Sequence, residues 1–312
     1  MKTKILVTGG AGSIGSALVH RLISFKDFEV IVVDNLCTGN FDNLPNVKEF
    51  ENFKFIRCDV NDYNDINPVM TFNNFDYVFH YAAVVGVQRT LMHPVSVLKD
   101  FEGFKNIFTL AKNTLVKRVF FSSSSEVYGE PFEFPQNENT TPLNSRLPYA
   151  VMKNVGESFL KAYHKEFNMN YTILRFFNTY GPNQTSDFVI PRFIKAALNN
   201  SDITIYGNGS QTRTFCYIDD NIDTILKIFQ QNLVVNDIIN IGSDIEYSVL
   251  DLANIIIKLT GSKSKIVHLP CLKEGDMARR KPDISKMKNI LNKDLIPLEE
   301  GLMKMISIYK KS

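Results

Sequence analysis

Apolar residues along this chain fall into two recurring patterns. Short, nearly unbroken runs at Lys4–Val7, Glu29–Val33, Phe53–Cys58, Asp76–His80, Lys117–Phe121 and Tyr171–Arg175 predict strands buried on both faces. Between them lie stretches with helical spacing. Ser16 to Phe25 places Leu18, Leu22 and Phe25 on one side, and further helices are predicted over Pro94 to Asn113 and Tyr149 to Phe167. Strands alternating with helices predict an α/β fold built on a doubly wound parallel sheet. Ligands on such sheets sit beyond the carboxyl ends of the strands. Those ends carry Gly9, Asp34, Asp59 with Val60, Ala82 with Ala83, and Ser122 to Ser124.

After Arg175 the alternation weakens. Helices are expected over 190–198, 219–231, 249–259 and 299–309, with short strands near 203–205, 238–241 and 266–267. This predicts a smaller α/β C-terminal lobe. The expected division is a nucleotide-binding domain over residues 1–175 and a mainly substrate-binding lobe over 176–312, interleaved with it.

The first strand runs directly into Thr8-Gly9-Gly10-Ala11-Gly12-Ser13-Ile14-Gly15, and a helix follows. Strand, glycine-rich turn and helix are how a Rossmann-type fold opens. Glycine lets the backbone approach a pyrophosphate, and the helix start offers that anion free N–H groups and a positive dipole end. The second strand ends at Asp34, about twenty residues beyond the glycines, where a carboxylate can accept hydrogen bonds from ribose hydroxyls. A negative charge there repels a 2′-phosphate, and Asn35 follows where an NADP enzyme more often offers arginine. These residues read as an NAD site.

Composition narrows the class. A chain of 312 residues, 44% hydrophobic and 22% charged, can bury a large core. A net charge of +2 gives no reason to expect nucleic acid or an anionic membrane as a partner. No apolar run approaches the ~20 residues of a membrane span. Cys37, Cys58, Cys216 and Cys271 lie far apart, which fits reduced thiols in a cytoplasmic protein, and the scattered histidines predict no metal site.

Tyr149 and Lys153 are four residues apart, on one face of a helix that starts after Pro148. Upstream, Ser122-Ser123-Ser124-Ser125-Glu126-Val127-Tyr128-Gly129 follows the fifth strand. Together with Asp59-Val60, HYAA (80–83), RFFNTYGP (175–182), YGNGSQTRTFCYIDD (206–220) and RRKPDIS (279–285), these segments cover nearly the whole chain. In this order they resemble the extended short-chain dehydrogenases/reductases that act as NAD-dependent nucleotide-sugar epimerases, dehydratases and decarboxylases. One departure stands out: Asp100 occupies a position where that family usually has asparagine.

The resemblance implies that Tyr149 takes the proton from a sugar hydroxyl while hydride passes to NAD. It implies that Lys153 lowers the phenol's pKa, ordinarily about 10, and holds the nicotinamide ribose. Ser124 would hydrogen-bond the same hydroxyl, with Ser123 and Ser125 as rivals, and Ser125 is also expected at the substrate. Asn178, Arg213 and Arg280 (or Arg279) would hold the diphosphate, for which the arginine fork is suited. Asp219-Asp220 reads as a helix N-cap. The helices over Pro94–Asn113 and Tyr149–Phe167 would pair two copies into a homodimer. Members of the group share a transient 4-keto sugar. A dehydratase needs an Asp-Glu pair where Ser125-Glu126 stands here, which weakens that reading. A UDP-glucuronate decarboxylase shares Glu126 and a late arginine, but Val84-Val85-Gly86-Val87-Gln88 is more like an epimerase segment. The favoured expectation is a nucleotide-diphosphate-sugar 4-epimerase, followed by the decarboxylase, then by dehydration or net 4-oxidation. A non-catalytic NAD-binding protein is the most distant alternative, since such proteins usually lose the tyrosine or lysine.

Overall fold

Each unbroken apolar run forms a strand in the computed structural model, which describes residues 2–130, 132–271 and 279–311. The chain opens with β1 (Thr3–Thr8), α1 (Ser13–Leu22), β2 (Phe28–Asp34), β3 (Phe53–Arg57) and α2 (Tyr63–Asn73). There follow β4 (Tyr77–His80), α3 (Val87–Met92), α4 (Pro94–Leu98), α5 (Asp100–Asn113) and β5 (Arg118–Ser124). A single 3-10 turn leads on to α6 (Pro148–Phe167), β6 (Tyr171–Phe176), β7 (Thr179–Tyr180), α7 (Val189–Leu198) and β8 (Ile203–Tyr206). Next come β9 (Thr212–Thr214), β10 (Cys216–Tyr217), α8 (Ile218–Gln230), β11 (Asp237–Ile241) and β12 (Glu246–Ser248). The last elements are α9 (Val249–Thr260), β13 (Ile266–Leu269), α10 (Ser285–Leu291) and α11 (Leu298–Tyr309).

Seven strands form one sheet in the order β11-β6-β5-β4-β1-β2-β3. β1 pairs in parallel with β2 and β4, β2 with β3, and β4 with β5. Strand order reverses between β1 and β4, the switch point at which such sheets bind ligands. Two compact units emerge. The first comprises 1–127, 145–175 and 225–239, and the second 128–144, 176–224 and 240–312.

In the first unit, helices α2, α4, α5 and α6 bury Met70, Val97, Phe104, Phe108 and Leu160 with sheet residues such as Leu6, Val78 and Phe121. Elsewhere in this unit, Phe79 and Phe120 stack at 4.3 Å between ring centroids, and Phe229 meets them edge-on at 5.6 and 5.9 Å. In the second unit, β12 pairs antiparallel with β9, and Ser248 closes a capping box with Asp251 at the start of α9.

Four features differ from the sequence pattern. α1 ends at Leu22, so Phe25 lies beyond it and is 36% exposed. The helix expected over 94–113 divides at Lys99. Lys99 keeps helical dihedrals (φ −66°, ψ −21°), but its carbonyl accepts from the Glu102 amide, a three-residue step. Residues 237–241 join the main sheet beside β6 instead of forming a minor strand. Asp219 and Asp220 lie inside the first turn of α8, where the buried Asp220 accepts from the Ile296 amide at 2.7 Å.

Candidate active site

The turn after β1 is shaped by its glycines. Gly9 adopts φ +67°, and a side chain there would meet the Ala82 amide at 2.5 Å, so β1 and β4 can converge only around glycine. The Gly12 amide closes the turn on the Gly9 carbonyl at 3.1 Å. Gly12 then caps α1, with no side-chain cap and no acidic residue in the first turn. The helix start at Ser13, Ile14 and Gly15 is thereby built for an anion.

Asp34, at the end of β2, is 7% exposed. Its Oδ2 accepts from the Ala11 amide at 3.0 Å and its Oδ1 from the Leu36 amide at 2.8 Å. Burial pushes its pKa up, against the pull of those two amides. A carboxylate has about four acceptor sites, so capacity remains for ribose hydroxyls. Asn35 donates to Asp59 Oδ2 at 3.2 Å, which brings the ends of β2 and β3 together. Asn106 of α5 donates to the Val60 carbonyl at 3.0 Å. The Ala82 amide, next to Ala83, donates to Thr8 Oγ1 at 3.2 Å. Thr8 was not singled out from sequence, because its role depends on β4 lying alongside β1. A glycine cradle at a bare helix start, with a carboxylate one strand away, fits the diphosphate and ribose of NAD.

α6 carries the expected proton-transfer pair. Tyr149 sits in its first turn, partly buried against the core, and Pro148 occupies the position where a missing amide costs nothing. Lys153 is 2% exposed, and its Nζ donates to the Ser122 carbonyl at 2.7 Å. The ammonium lies 5.2 Å from the Phe121 ring centroid and 5.8 Å from that of Tyr149. Burial lowers its pKa to about 8, with the charge of Asp100 opposing.

The serines after β5 differ in their commitments. Ser123 donates to Glu157 at 2.6 Å and is therefore engaged with α6. Ser124 accepts from the Glu126 amide at 3.2 Å, which leaves its own hydroxyl hydrogen to be donated elsewhere. Ser125 is 3% exposed, and Glu126 is partly buried. Glu157 itself receives Arg175 through Nε at 2.9 Å and Nη2 at 2.7 Å. Nothing in the local sequence pattern marks this buried triad, because its members come from β5, α6 and β6. The side chains of Val87 and Gln88, in the segment read as epimerase-like, lie outside the described residues.

In the second unit Asn178 adopts φ +38°, and its buried Nδ2 has no hydrogen-bond partner in the protein. A buried donor left in that state calls for an acceptor from a ligand or water. Arg213 lies on β9, opposite Tyr247, and donates to the Thr212 carbonyl at 2.8 Å. Arg280 is 6% exposed. Arg279 is held by Glu246 through two contacts of 2.7 Å and lies 4.4 Å from the Phe134 ring centroid. Among the described residues, no group of three or more histidine, cysteine, aspartate or glutamate side chains is arranged to hold a metal ion, and no helix is long and apolar enough to cross a membrane.

A family model described as the NAD dependent epimerase/dehydratase family matches residues 5–242. The chain is 35% identical to UDP-glucuronic acid decarboxylase 1 of Danio rerio, over 99% of this chain and 73% of that protein. The UDP-glucose 4-epimerase of Thermotoga maritima, solved with UDP-glucose, superposes with a TM-score of 0.92 at 31% identity, covering 99% of each chain. The UDP-N-acetylglucosamine 4-epimerase of Methanobrevibacter ruminantium M1, solved with UDP-N-acetylmuramic acid, gives 0.90 at 31% identity, covering 100% of this chain and 99% of that one. A match of this extent, over a glycine turn and a tyrosine–lysine helix already in place, shows that the chain belongs to the NAD-dependent epimerase/dehydratase family of nucleotide-sugar enzymes.

Proposed function

We propose that this enzyme is a nucleotide-diphosphate-sugar 4-epimerase. The observation that carries the reading is the sparse set of proton-transfer groups around α6. Tyr149 and Lys153 share one helix face, Ser124 stands at the end of β5, and Ser125 occupies the place where elimination would require a second acid. Epimerisation asks for no more than this. Tyr149 accepts the proton of the C4 hydroxyl and later returns it. Lys153 lends the phenolate its charge and holds the nicotinamide ribose, while Ser124 donates to the reacting oxygen. Bound NAD supplies reversible hydride acceptance at C4. Between the two proton transfers the keto sugar presents its other face. Gly9, Gly12, Ser13, Ile14, Gly15, Asp34, Asn35, Asp59, Val60, Ala82 and Ala83 are assigned to the cofactor, and Ser125, Asn178, Arg213 and Arg280 to the nucleotide sugar.

Decarboxylation of UDP-glucuronate is the second reading, favoured by the 35% identity to a decarboxylase and by Glu126. A sugar carboxylate needs a free cation, and the engagement of Arg279 by Glu246 removes one of the two late arginines from that role. Incubation with UDP-glucose, UDP-N-acetylglucosamine, UDP-glucuronate, GDP-mannose and dTDP-glucose, followed by mass spectrometry and proton NMR, separates the readings. A product of unchanged mass with inverted C4 is expected, and loss of carbon dioxide from UDP-glucuronate would overturn the epimerase. Tyr149→Phe should lower turnover by about 10²-fold or more. Undiminished activity would remove Tyr149 from the chemistry.

We also infer a homodimer built on the helices over 94–113, α4 and α5, together with α6. Its support is the apolar surface of the adjoining segment, where Met92, Val95 and Leu98 are 67%, 68% and 48% exposed.

A further inference from the structure

We propose that the Ser123–Glu157 hydrogen bond, braced by Arg175, is a positioning device that sets the end of β5 against α6 and so places the Ser124 hydroxyl for the reaction. The inference rests on the reading of Ser124 as the donor to the reacting oxygen.

Neighbouring residues of β5 are each held by a residue of α6. Side chains alternate along a strand, so Phe121 and Ser123 share the face turned to the helix. Gly156 sits on Phe121, where any side chain would collide with the ring, so the helix backbone rests directly on it. One residue on, the Glu157 carboxylate accepts from Ser123 Oγ at 2.6 Å. One turn earlier on α6, Lys153 Nζ donates to the Ser122 carbonyl at 2.7 Å. Residues 121, 122 and 123 thus meet 156, 153 and 157, and Ser124 is the next residue of the chain.

The carboxylate is not free to turn and follow the strand. Arg175 lies on β6, which runs beside β5. It donates through Nε at 2.9 Å to Oε1, the oxygen that also receives Ser123, and through Nη2 at 2.7 Å to Oε2. Two donations from a planar guanidinium fix the plane of a carboxylate. Both side chains are 1% exposed, so water does not compete for these bonds. Lys161 stands 4.0 Å from Oε2, with its own side chain largely in solvent, and leaves Oε1 to Ser123 and Arg175.

Stability alone asks for less than this. Apolar side chains packed in the same place would serve a fold as well as a buried ion pair, and often better. What the fork adds is direction: it holds Oε1 at one point, and the Ser123 hydroxyl must come to it. Ser123 is thereby committed, while Ser124 accepts from the Glu126 amide at 3.2 Å and keeps its hydrogen to donate. A displacement of about 1 Å at a reacting group can cost about 10²-fold in rate, so a bond that fixes the adjoining residue bears on turnover.

The test is Ser123→Ala, which removes the bond and leaves the buried Glu157–Arg175 pair in place. It is assayed in the NAD-saturated protein with whichever nucleotide sugar of the panel above turns over fastest. kcat should fall by about tenfold with KM changed by less than about twofold. In a Ser124→Ala background the same change should cost less than about twofold, because the group it positions is gone. A full tenfold loss in that background, or native kcat in Ser123→Ala alone, overturns the proposal. Amide hydrogen exchange gives a second readout that needs no substrate. Ser123→Ala should speed exchange over residues 122–126 and leave the rest of β5 and α6 as in the native chain. Unchanged exchange over 122–126 would equally overturn it. Native activity in Ser124→Ala would instead sink the catalytic reading of Ser124, while exchange still decides whether Ser123 and Glu157 hold the end of β5.

Discussion

His80 and Asp100 give the protein's acid stability two opposed slopes. His80 is buried among Phe104, Phe108 and Phe121, with Nδ1 paired to Thr8 Oγ1 at 2.8 Å. Burial, reinforced by Lys153, lowers its pKa from 6.5 to about 3. Its neutral form therefore stabilises the fold above the unfolded value, and that contribution is lost as pH falls from 6.5 towards 3, by about 1.4 kcal/mol per unit. Asp100 behaves in the reverse sense. Its folded pKa is raised from 3.8 to about 6, so its contribution is complete below 3.8 and lost as pH rises through 6. Between roughly pH 4 and 6 the two slopes largely offset each other. Urea unfolding across that window should show a nearly flat stability for the native chain. His80→Gln should gain stability on acidification and Asp100→Asn should lose it. Parallel profiles for all three proteins would show that these groups do not control the acid response.

At the scale of elements, the Ser123–Glu157–Arg175 triad joins β5, α6 and β6 inside the first unit. Arg175 and Glu157 side chains are each 1% exposed, so neither charge has water to fall back on. Glu157→Gln leaves a buried guanidinium uncompensated and should cost about 3–5 kcal/mol in chemical denaturation. Removing both charges with Glu157→Gln and Arg175→Met should cost less than the two single changes summed. The strands and the glycine turn were legible in the sequence because their signals are local: Ile31 to Val33 are buried on both faces, and Gly9 answers to a backbone constraint. What depends on distant pairing was not. The apolar period runs through Lys99 unbroken, so the division between α4 and α5 left no trace. β11 reads as a short isolated strand until β6 is placed beside it. Asp100 was visible as an oddity, but its bond from the Val84 amide required α5 to be packed against the turn after β4. The rivalry among Ser123, Ser124 and Ser125 likewise depended on Glu157, contributed by the following helix.

For the whole molecule, the proposed dimer is the feature most open to direct measurement. Light scattering should give twice the 35.5 kDa of one chain, and Val95→Asp with Leu98→Asp should shift the protein to the monomer without altering its secondary structure. A native chain that scatters as a monomer at micromolar concentration would end that reading. The fastening of Asp34 to Ala11 and Leu36 bears on a different matter, the inheritance of coenzyme preference. The carboxylate assigned to the ribose also pins both the glycine turn and the left-handed Leu36 (φ +61°). Arginine at that site would invite a phosphate but release both amides, so a single replacement would loosen the loop it was meant to retune. Under that assignment, coenzyme preference and loop shape are coupled in this chain through the Asp34 carboxylate, and an exchange at this one position would disturb both.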